Sequence, residues 1–375
     1  MKISTSLVHQ VEPLAQENKE IVEPLHTSTI FAMKKPSSHG GFQYGRVGNP
    51  TRLILTKKLS DYSQAKFVTC ASSGSAAISA MLLTLKSKDE VICHDEVYEG
   101  SQRILNTHFS RYKVQSHFID CCNTDLLKKH LKYHPQTKVV LIETPTNPML
   151  QIIDIKRVSK IAHQYNALLV IDNTFATSLL QRPLNLGADV VIESLSKHVN
   201  GHSDVIGGMI AANDEKLIKQ VNEVVETLGF VLSPRDAHEV LKGMKTMKLR
   251  VDKQCSNAEE LVSFLKKHKR VSKVLFPYGK LAKSQMKKSG SIISFNVNID
   301  PSGFLQKLQL IHIAHSLGGV ETLIQQPTTM MDLSFSDDQL NAFSIDNTFF
   351  RLSVGIESIE DIIGDLNKAL SIEQN

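Results

Sequence analysis

The feature of this sequence that most constrains the fold is an alternation of short apolar runs with stretches of helical periodicity, between residue 61 and about residue 245. Three of the apolar runs are clear strands, at 138–143, 167–172 and 189–193. Strands that alternate with helices are typical of βαβ units, in which helices on the faces of the sheet connect parallel strands. The pattern therefore predicts an α/β fold with a mostly parallel sheet.

The segments on either side of this region have a different character. Residues 1–60 contain four prolines and no sustained apolar period, which indicates an arm. After about residue 246, Ser256 and Glu259 form a capping box for a helix at 257–268, and a strand is predicted at 291–297. We therefore expect three parts: an N-terminal arm at 1–60, a large domain at 61–245 and a smaller α+β domain at 246–375.

Composition excludes several classes of partner. The net charge is +5, but the 43 basic residues are scattered among 38 acidic ones, without a stripe suited to a nucleic-acid backbone. The five cysteines are odd in number and show no C-x-x-C spacing, and no charged-then-apolar leader opens the chain. No apolar run approaches the roughly 18 residues of a membrane span. We expect a cytoplasmic protein that binds a small anionic ligand, with no nucleic-acid or membrane partner.

A run of small residues at 72–77 (SSGSAA) stands directly before the apolar periodic run 78–85. Small side chains allow close approach, and a helix N-terminus offers free N–H groups to an anion, so this run is a candidate phosphate cradle. An ordinary helix cap is the alternative, and the run alone does not decide between them.

Polar side chains follow two neighbouring strands. Asp172 ends the strand at 167–172, and Ser194, Ser196 and Lys197 follow the strand at 189–193. Ligands of open α/β sheets collect at this carboxyl edge. A carboxylate there can keep a pyridinium nitrogen protonated, and a lysine flanked by hydroxyls can form a Schiff base. A structural Asp is an equal alternative for Asp172 alone, but together these residues favour pyridoxal phosphate.

Other cofactors find less support. His198 and His202 have helical spacing, but no Glu follows His198 and Gly201 breaks the helix, so no metal site is predicted. No G-x-G-x-x-G follows a strand, which argues against a dinucleotide.

Longer motifs occur in a fixed order along the chain: 44–51 (YGRVGNPT), Ser73 with Gly74, Tyr98, 143–148 (ETPTNP), 172–175 (DNTF), 194–197 (SLSK), 316–319 (SLGG) and 351–355 (RLSVG). In these motifs the chain resembles the Cys/Met metabolism family of pyridoxal-phosphate enzymes, which includes cystathionine γ-synthases, cystathionine γ- and β-lyases and methionine γ-lyases. The resemblance covers the chain from the arm to the C-terminus. It implies the fold-type I transferase fold and pyridoxal 5′-phosphate (PLP) as cofactor.

The resemblance also implies roles for the residues that match the family motifs. Lys197 matches the Schiff-base lysine, Asp172 the partner of the pyridine nitrogen and Tyr98 the stacking ring, so these three are the expected catalytic residues. Asn147 matches a contact on the O3′ side of the cofactor and near the substrate. The expected phosphate contacts within one subunit are Gly74, Ser75, Ser194 and Ser196.

Two further groups of residues extend this expectation to the substrate and to a second subunit. Arg351 and Ser316 match the groups that hold the substrate α-carboxylate, for which the fork of an arginine is suited. Tyr44 and Arg46 match residues that reach the phosphate of a neighbouring subunit. The resemblance thus implies a homodimer with shared sites, usually paired into a tetramer.

The chain departs from the family near the substrate. Glu99 stands where the family usually has glycine, and Gln43 and His315 stand where γ-synthases and γ-lyases commonly carry acids. Arg103 stands where enzymes acting on cystathionine or O-acylhomoserines often carry arginine. We therefore expect relaxed recognition of a distal ammonium.

The function that the resemblance favours is a carbon–sulfur lyase of transsulfuration that acts on cystathionine by γ- or β-elimination. The alternative is cystathionine γ-synthase, which replaces the γ-substituent of an O-acylhomoserine with cysteine. Methionine γ-lyase and a PLP-binding homologue without transsulfuration activity are less favoured. The same residues serve elimination and replacement, so the sequence decides the cofactor more firmly than the reaction.

Overall fold

The computed structural model describes residues 2–9, 20–36, 41–330, 340–341, 343 and 345–371. The larger of its two sheets is formed by the apolar runs of the first 212 residues, in the spatial order β1-β7-β6-β5-β4-β2-β3. Its strands are β1 Phe67–Ala71, β2 Glu90–His94, β3 Gln115–Ile119, β4 Thr137–Glu143, β5 Leu168–Asp172, β6 Val190–Ser194 and β7 Gly208–Ala212.

Neighbouring strands from β3 to β6 run parallel, and β7 is antiparallel to both of its neighbours. The predicted mostly parallel sheet is therefore confirmed. The three strands predicted from sequence correspond to β4, β5 and β6 with ends that differ by one residue. Helices cover both faces, so these strands are apolar almost throughout and easily recognised.

The smaller sheet has five strands in the order β10-β11-β12-β9-β8, and only the β10–β11 pair is parallel. The aromatic rings of Phe295, Phe304 and Phe350 pack in its core with centroids 5.0–6.3 Å apart. The α+β character predicted for this part is confirmed. Its strands are β8 Val271–Leu275, β9 Ile292–Val297, β10 His312–Ile313, β11 Leu323–Gln325 and β12 Phe349–Ser353.

Helices connect the strands and cover the sheets. The α-helices of the described residues are α1 Ile3–Val8, α2 Pro50–Ser63, α3 Gly74–Leu82, α4 Glu99–Arg103, α5 Thr124–Tyr133, α6 Ile155–Gln164, α7 Thr177–Leu180, α8 Glu215–Leu228, α9 Pro234–Lys267, α10 Gly279–Gln285, α11 Pro301–Lys307, α12 Pro327–Met330 and α13 Ile359–Leu370. Shorter helical turns lie at Ile104–His108, Phe109–Tyr112, Pro183–Leu186 and Leu195–Val199.

Helix α9 corrects one prediction. It begins after Ser233, whose hydroxyl accepts a hydrogen bond from the Arg235 amide, and not at Ser256. Ser256 is an exposed residue inside the helix, so the predicted capping box is wrong. Buried apolar side chains at helical spacing, from Ala237 to Leu265, continue on both sides of Ser256. Burial of this stripe keeps the backbone helical through a residue that would otherwise favour a helix start.

The same helix takes part in two hydrophobic cores. Its first half packs with Leu7, Leu55 and Leu59 of helices α1 and α2, and its second half packs against the smaller sheet. The domain limit predicted at residue 245 falls inside α9, and the limit at residue 60 falls inside α2. The three-part division stays a prediction. Each helix in the described part of the chain is too short or too polar to cross a lipid bilayer.

Candidate active site

A cavity of about 830 Å³ opens at the carboxyl edge of the larger sheet, and residues of the smaller sheet and its loops line its other side. It brings together residues that lie far apart in the sequence. Ten of the residues predicted from sequence line it: Gly74, Ser75, Tyr98, Asn147, Asp172, Ser194, Ser196, Lys197, Ser316 and Arg351.

Lys197 lies in the turn directly after β6, with φ −104° and ψ −132°, outside the helical region. Its Nζ donates a hydrogen bond to Ser316 Oγ over 2.7 Å. Burial, and then the positive charge of Arg351, lower the pKa of Lys197 to about 8. About a tenth of this amine is therefore neutral at pH 7, far more than for an ordinary lysine, and the neutral form is the one that acts as a nucleophile or a base.

Asp172 is the last residue of β5 and stands beside Glu143 of β4 in the register of the sheet. Its Oδ1 accepts hydrogen bonds from the hydroxyl of Thr174 over 2.6 Å and from the amide of Thr174 over 3.0 Å. Burial raises the pKa of Asp172, and the bonds from Thr174 oppose that shift. The carboxylate is thus held in one orientation at the cavity wall.

Glu143 was part of a sequence motif, but no role was assigned to it. Its Oε2 accepts a hydrogen bond from the backbone amide of Tyr98 over 2.8 Å. Burial, and then the neighbouring Asp172, raise the pKa of Glu143 well above its usual range. Glu143 therefore positions the start of α4. A Cβ at position 100 would overlap the ring of Tyr98, so Gly100 is needed for the ring to lie over the first turn of α4.

The run of small residues at 72–77 forms the N-terminus of α3. Ser73 caps the helix by accepting a hydrogen bond from the Ala76 amide over 2.9 Å, which confirms the helix-cap alternative for this residue. Gly74 and Ser75 follow it on the cavity wall. A Cβ at position 74 would lie 3.2 Å from Ser194 Cβ, so glycine allows the helix end to approach the loop after β6 closely. This arrangement fits an anion, which free amides at a helix N-terminus attract.

Arg351 projects from β12 of the smaller sheet and is buried. It donates hydrogen bonds from NH1 to Asn147 Oδ1 over 2.9 Å and from NH2 to the backbone oxygen of Ser316 over 3.1 Å. Its Nε is buried and has no hydrogen-bond partner in the part of the chain that the structure describes. Burial lowers the pKa of Arg351 to about 10, so the group is still a cation at neutral pH. The fixed guanidinium suits a ligand carboxylate.

Three of the predicted site residues do not line the cavity of their own chain. Tyr44 and Arg46 lie on an exposed loop, where the guanidinium stacks 5.4 Å from the tyrosine ring centroid and donates a hydrogen bond to the Glu226 backbone oxygen. Arg103 ends α4, outside the cavity wall formed by the described residues. The predicted roles of these three residues stay predictions.

Glu99 is a cavity residue to which sequence reasoning assigned no function. It lines the cavity together with His315 and Arg351, whereas Gln43 does not. Its Oε2 is buried and accepts no hydrogen bond from any residue that the structure describes. The negative charge of Glu99 opposes the lowering of the pKa of Arg351 and of Lys197. The departure of residue 99 from glycine was the only sequence signal for this acid.

The donor set fits PLP. An amine of lowered pKa, a carboxylate at a strand end and a helix N-terminus kept narrow by Gly74 surround one cavity. The amine matches the aldehyde of the cofactor, the carboxylate matches its ring nitrogen, and the helix N-terminus matches its phosphate. All three groups come from the larger sheet and the segments that connect its strands.

Comparison with known proteins gives the same result. Residues 4–371 match the family described as Cys/Met metabolism PLP-dependent enzyme. A cystathionine gamma-lyase of Dictyostelium discoideum is 36% identical, with 98% of this chain and 97% of the relative covered. An L-methionine gamma-lyase of Fusobacterium nucleatum subsp. polymorphum is 39% identical, with 92% of each covered.

Structural comparison extends the similarity to the arrangement of the elements. A crystal structure of a cystathionine gamma-lyase from Micromonospora echinospora superposes with a TM-score of 0.95 at 34% identity, with 100% of both chains covered. The expected fold-type I architecture is confirmed. The chain therefore belongs to the family of PLP-dependent enzymes of Cys/Met metabolism, and its cofactor is pyridoxal 5′-phosphate.

Proposed function

We propose that this chain is a PLP-dependent carbon–sulfur lyase of transsulfuration, which cleaves cystathionine by γ- or β-elimination. The observation that carries the proposal is the position of Ser316 between two functional groups. Its backbone oxygen accepts a hydrogen bond from Arg351 and its hydroxyl accepts one from Lys197. One residue thus links a carboxylate anchor to an amine of lowered pKa, as α-proton removal from an amino acid requires.

Each cavity residue has a separate role in binding the substrate or the cofactor, or in moving a proton. Arg351 binds the α-carboxylate of the substrate, because its guanidinium is already oriented by Asn147 and by Ser316. Lys197 holds the cofactor and, once released, takes the proton from the α-carbon, for which its pKa of about 8 is suited. Asp172 would supply a negative charge to the ring nitrogen of the cofactor, and Tyr98, which lines the same cavity, would stack on its ring. When bound, PLP accepts the electron pair left at the α-carbon.

The same base serves both directions of cleavage. In γ-elimination Lys197 also moves a proton at the β-carbon, the bond from the γ-carbon to sulfur breaks and the sulfur leaves as cysteine with a proton. Hydrolysis of the remainder releases 2-oxobutanoate and ammonia. In β-elimination the sulfur leaves as homocysteine, and hydrolysis releases pyruvate and ammonia. Which carbon–sulfur bond breaks depends on which end of cystathionine Arg351 holds.

For the distal end of the substrate we propose Glu99 as the group that meets the ammonium of cystathionine. The sequence pointed to weak recognition of this ammonium, because Gln43 and His315 are not acids. Glu99 lines the same cavity as His315 and supplies a negative charge from another segment. Its buried Oε2, without a donor among the described residues, is a suitable acceptor for a charged N–H group.

We further propose a homotetramer built from dimers with shared sites, located in the cytoplasm. Tyr44 and Arg46 are exposed and lie outside the cavity of their own chain, which supports a role in a neighbouring subunit's phosphate site. The same loop leads into α2, and Asn49 caps this helix by accepting hydrogen bonds from the amides of Thr51 and Arg52. The loop is therefore anchored at one end while its two candidate phosphate ligands face outward.

Incubation of the holoenzyme with cystathionine, with O-succinylhomoserine plus cysteine, and with methionine tests the proposal. We expect cystathionine to give the highest kcat/KM, with 2-oxobutanoate and cysteine or pyruvate and homocysteine in equal amounts. Cystathionine formed faster from O-succinylhomoserine and cysteine than it is cleaved would favour the γ-synthase, a transferase, instead. Bound PLP without turnover of any of the three would contradict both functions.

A further inference from the structure

A cluster of histidines around one carboxylate lies away from the active site. Glu90 is the first residue of β2, so it stands at the amino end of a strand whose carboxyl end leads to Tyr98. His117 lies in β3, the edge strand beside β2. His130 and His134 come from the last turn and the C-cap of α5. Three separate elements therefore meet at this cluster, which we call the Glu90 cluster.

The donor atoms of the Glu90 cluster are close enough to share one ion. Both His117 Nε2 and His134 Nδ1 lie 3.0 Å from Glu90 Oε2. The three candidate ligand atoms all lie within 4.8 Å of one another. In a tetrahedral zinc site with bonds of about 2.0–2.1 Å, neighbouring ligand atoms are about 3.3 Å apart. Each histidine nitrogen is thus already within about 0.3 Å of that spacing from Glu90 Oε2, and the two nitrogens lie within 4.8 Å of each other.

A third histidine, His130, lies against these two. The His130 ring stacks on the His134 ring with centroids 5.6 Å apart and an angle of 13° between planes, and the rings of His117 and His134 are 4.1 Å apart. His130 Nδ1 is buried and finds no hydrogen-bond partner in the described ranges. The three imidazole rings therefore form one packed group beside the Glu90 carboxylate.

We propose that Glu90, His117 and His134 form a binding site for a divalent cation of the zinc class, with water in the remaining position. Two imidazole nitrogens and one carboxylate oxygen suit Zn²⁺, Ni²⁺ or Cu²⁺, whereas Mg²⁺ and Ca²⁺ prefer sets of oxygens. A bound ion connects β2, β3 and the end of α5 and so stabilises this corner of the larger sheet. The sequence showed no metal motif here, because the ligands come from three elements and the two histidines are 17 positions apart.

The chain offers a matched control for a simple histidine–carboxylate pair. His163 Nε2 lies 2.8 Å from Asp189 Oδ2, and no second histidine of the described residues joins them in a possible metal group. The chain also contains a second possible metal group, formed by His94, Asp120 and Cys122, which could bind zinc independently of the Glu90 cluster. Replacement of Cys122 therefore separates the two groups.

The test uses the PLP-loaded holoenzyme, passed over a chelating resin and kept free of thiols. Calorimetric titration with ZnCl₂ and the thermal midpoint with and without ZnCl₂ are compared for the wild type and for single variants. We expect the wild type, His163→Gln and Cys122→Ser to share a zinc site of one ion per chain. In His117→Gln, His134→Gln and Glu90→Gln we expect the Kd of that site to rise at least about tenfold. MgCl₂ should leave all midpoints unchanged.

The change in thermal midpoint on adding ZnCl₂ distinguishes a residue that binds the ion from a residue that is needed only for folding. A zinc-dependent rise in Tm that is present in His163→Gln and absent from His117→Gln and His134→Gln supports the site, whatever the metal-free Tm of each variant. Zinc binding in these two variants as tight as in His163→Gln overturns the proposal. Loss of the zinc only in Cys122→Ser overturns it as well, because the ion would then belong to the His94 group. Turnover is not a readout, so failure of the proposed lyase activity leaves this test intact.

Discussion

Replacement of Glu99 by glutamine isolates the charge that we assign to recognition of the substrate's distal ammonium. Glutamine keeps the size and one acceptor of Glu99 but removes the charge. A hydrogen bond to a charged group contributes about 1.5–3 kcal/mol, and each 1.36 kcal/mol is a factor of ten. We therefore expect Glu99→Gln to lower kcat/KM for cystathionine by about 10- to 150-fold.

The structure gives Glu99 a second possible influence that the assay must separate. Its charge also acts on Lys197 and Arg351, which serve the part common to all substrates. The assay therefore compares cystathionine with a thioether analogue that lacks the distal amino group. Loss of recognition at the distal end lowers only the first kcat/KM, because the ratio reports differential binding of the transition state. Glu99→Asp, which keeps the charge, serves as the control.

Two results would refute this reasoning. Equal losses for both substrates would show that Glu99 acts through Lys197 or Arg351 and not on the ammonium. A wild-type enzyme that accepts both substrates within a factor of about three would show that the distal amine is not recognised, as Gln43 and His315 alone suggested. The second result would also support the relaxed recognition expected from the sequence.

Four further results are expected. Borohydride should trap the cofactor on Lys197, as shown by peptide mapping, and Lys197→Ala should lose at least about 10²-fold in kcat. Arg46→Ala should weaken PLP binding, and mixing it with Lys197→Ala should restore some turnover if sites are shared; no recovery despite subunit exchange would count against sharing. Arg351→Lys loses the guanidinium fork, and a lost hydrogen bond to a charged group costs about 1.5 kcal/mol or more. Steady-state kinetics should therefore show KM raised more than tenfold. Burial and Arg250 lower the pKa of His198 from 6.5 to about 4, so the unfolded chain binds more protons in that window. Stability should therefore fall by about 3 kcal/mol from pH 6.5 to 4, and an equal acid dependence of Tm in His198→Gln would contradict this.

Residue patterns of short range were sufficient for the fold class and for the polar groups at the strand ends that line the cavity. Strands β4, β5 and β6 are buried on both faces, so their apolar runs are unambiguous and their ends predict where Asp172, Ser194 and Lys197 lie. The sequence was misleading at Ser256, where a local capping pattern competed with a buried stripe that extends along the whole of α9. Local preference of about 1 kcal/mol for a cap is small beside the burial of several apolar side chains.

The sequence by itself determined the cofactor and the set of residues expected around it. Only the tertiary structure decided which of them touch. Lys197 meets Ser316 across 119 positions and Arg351 meets Asn147 across 204. It also brought Glu99 into the cavity and three elements together at the Glu90 cluster. Periodicities of 2 and 3.6 residues report which face of an element is buried, whereas contacts between elements depend on strand order and on packing of the whole chain.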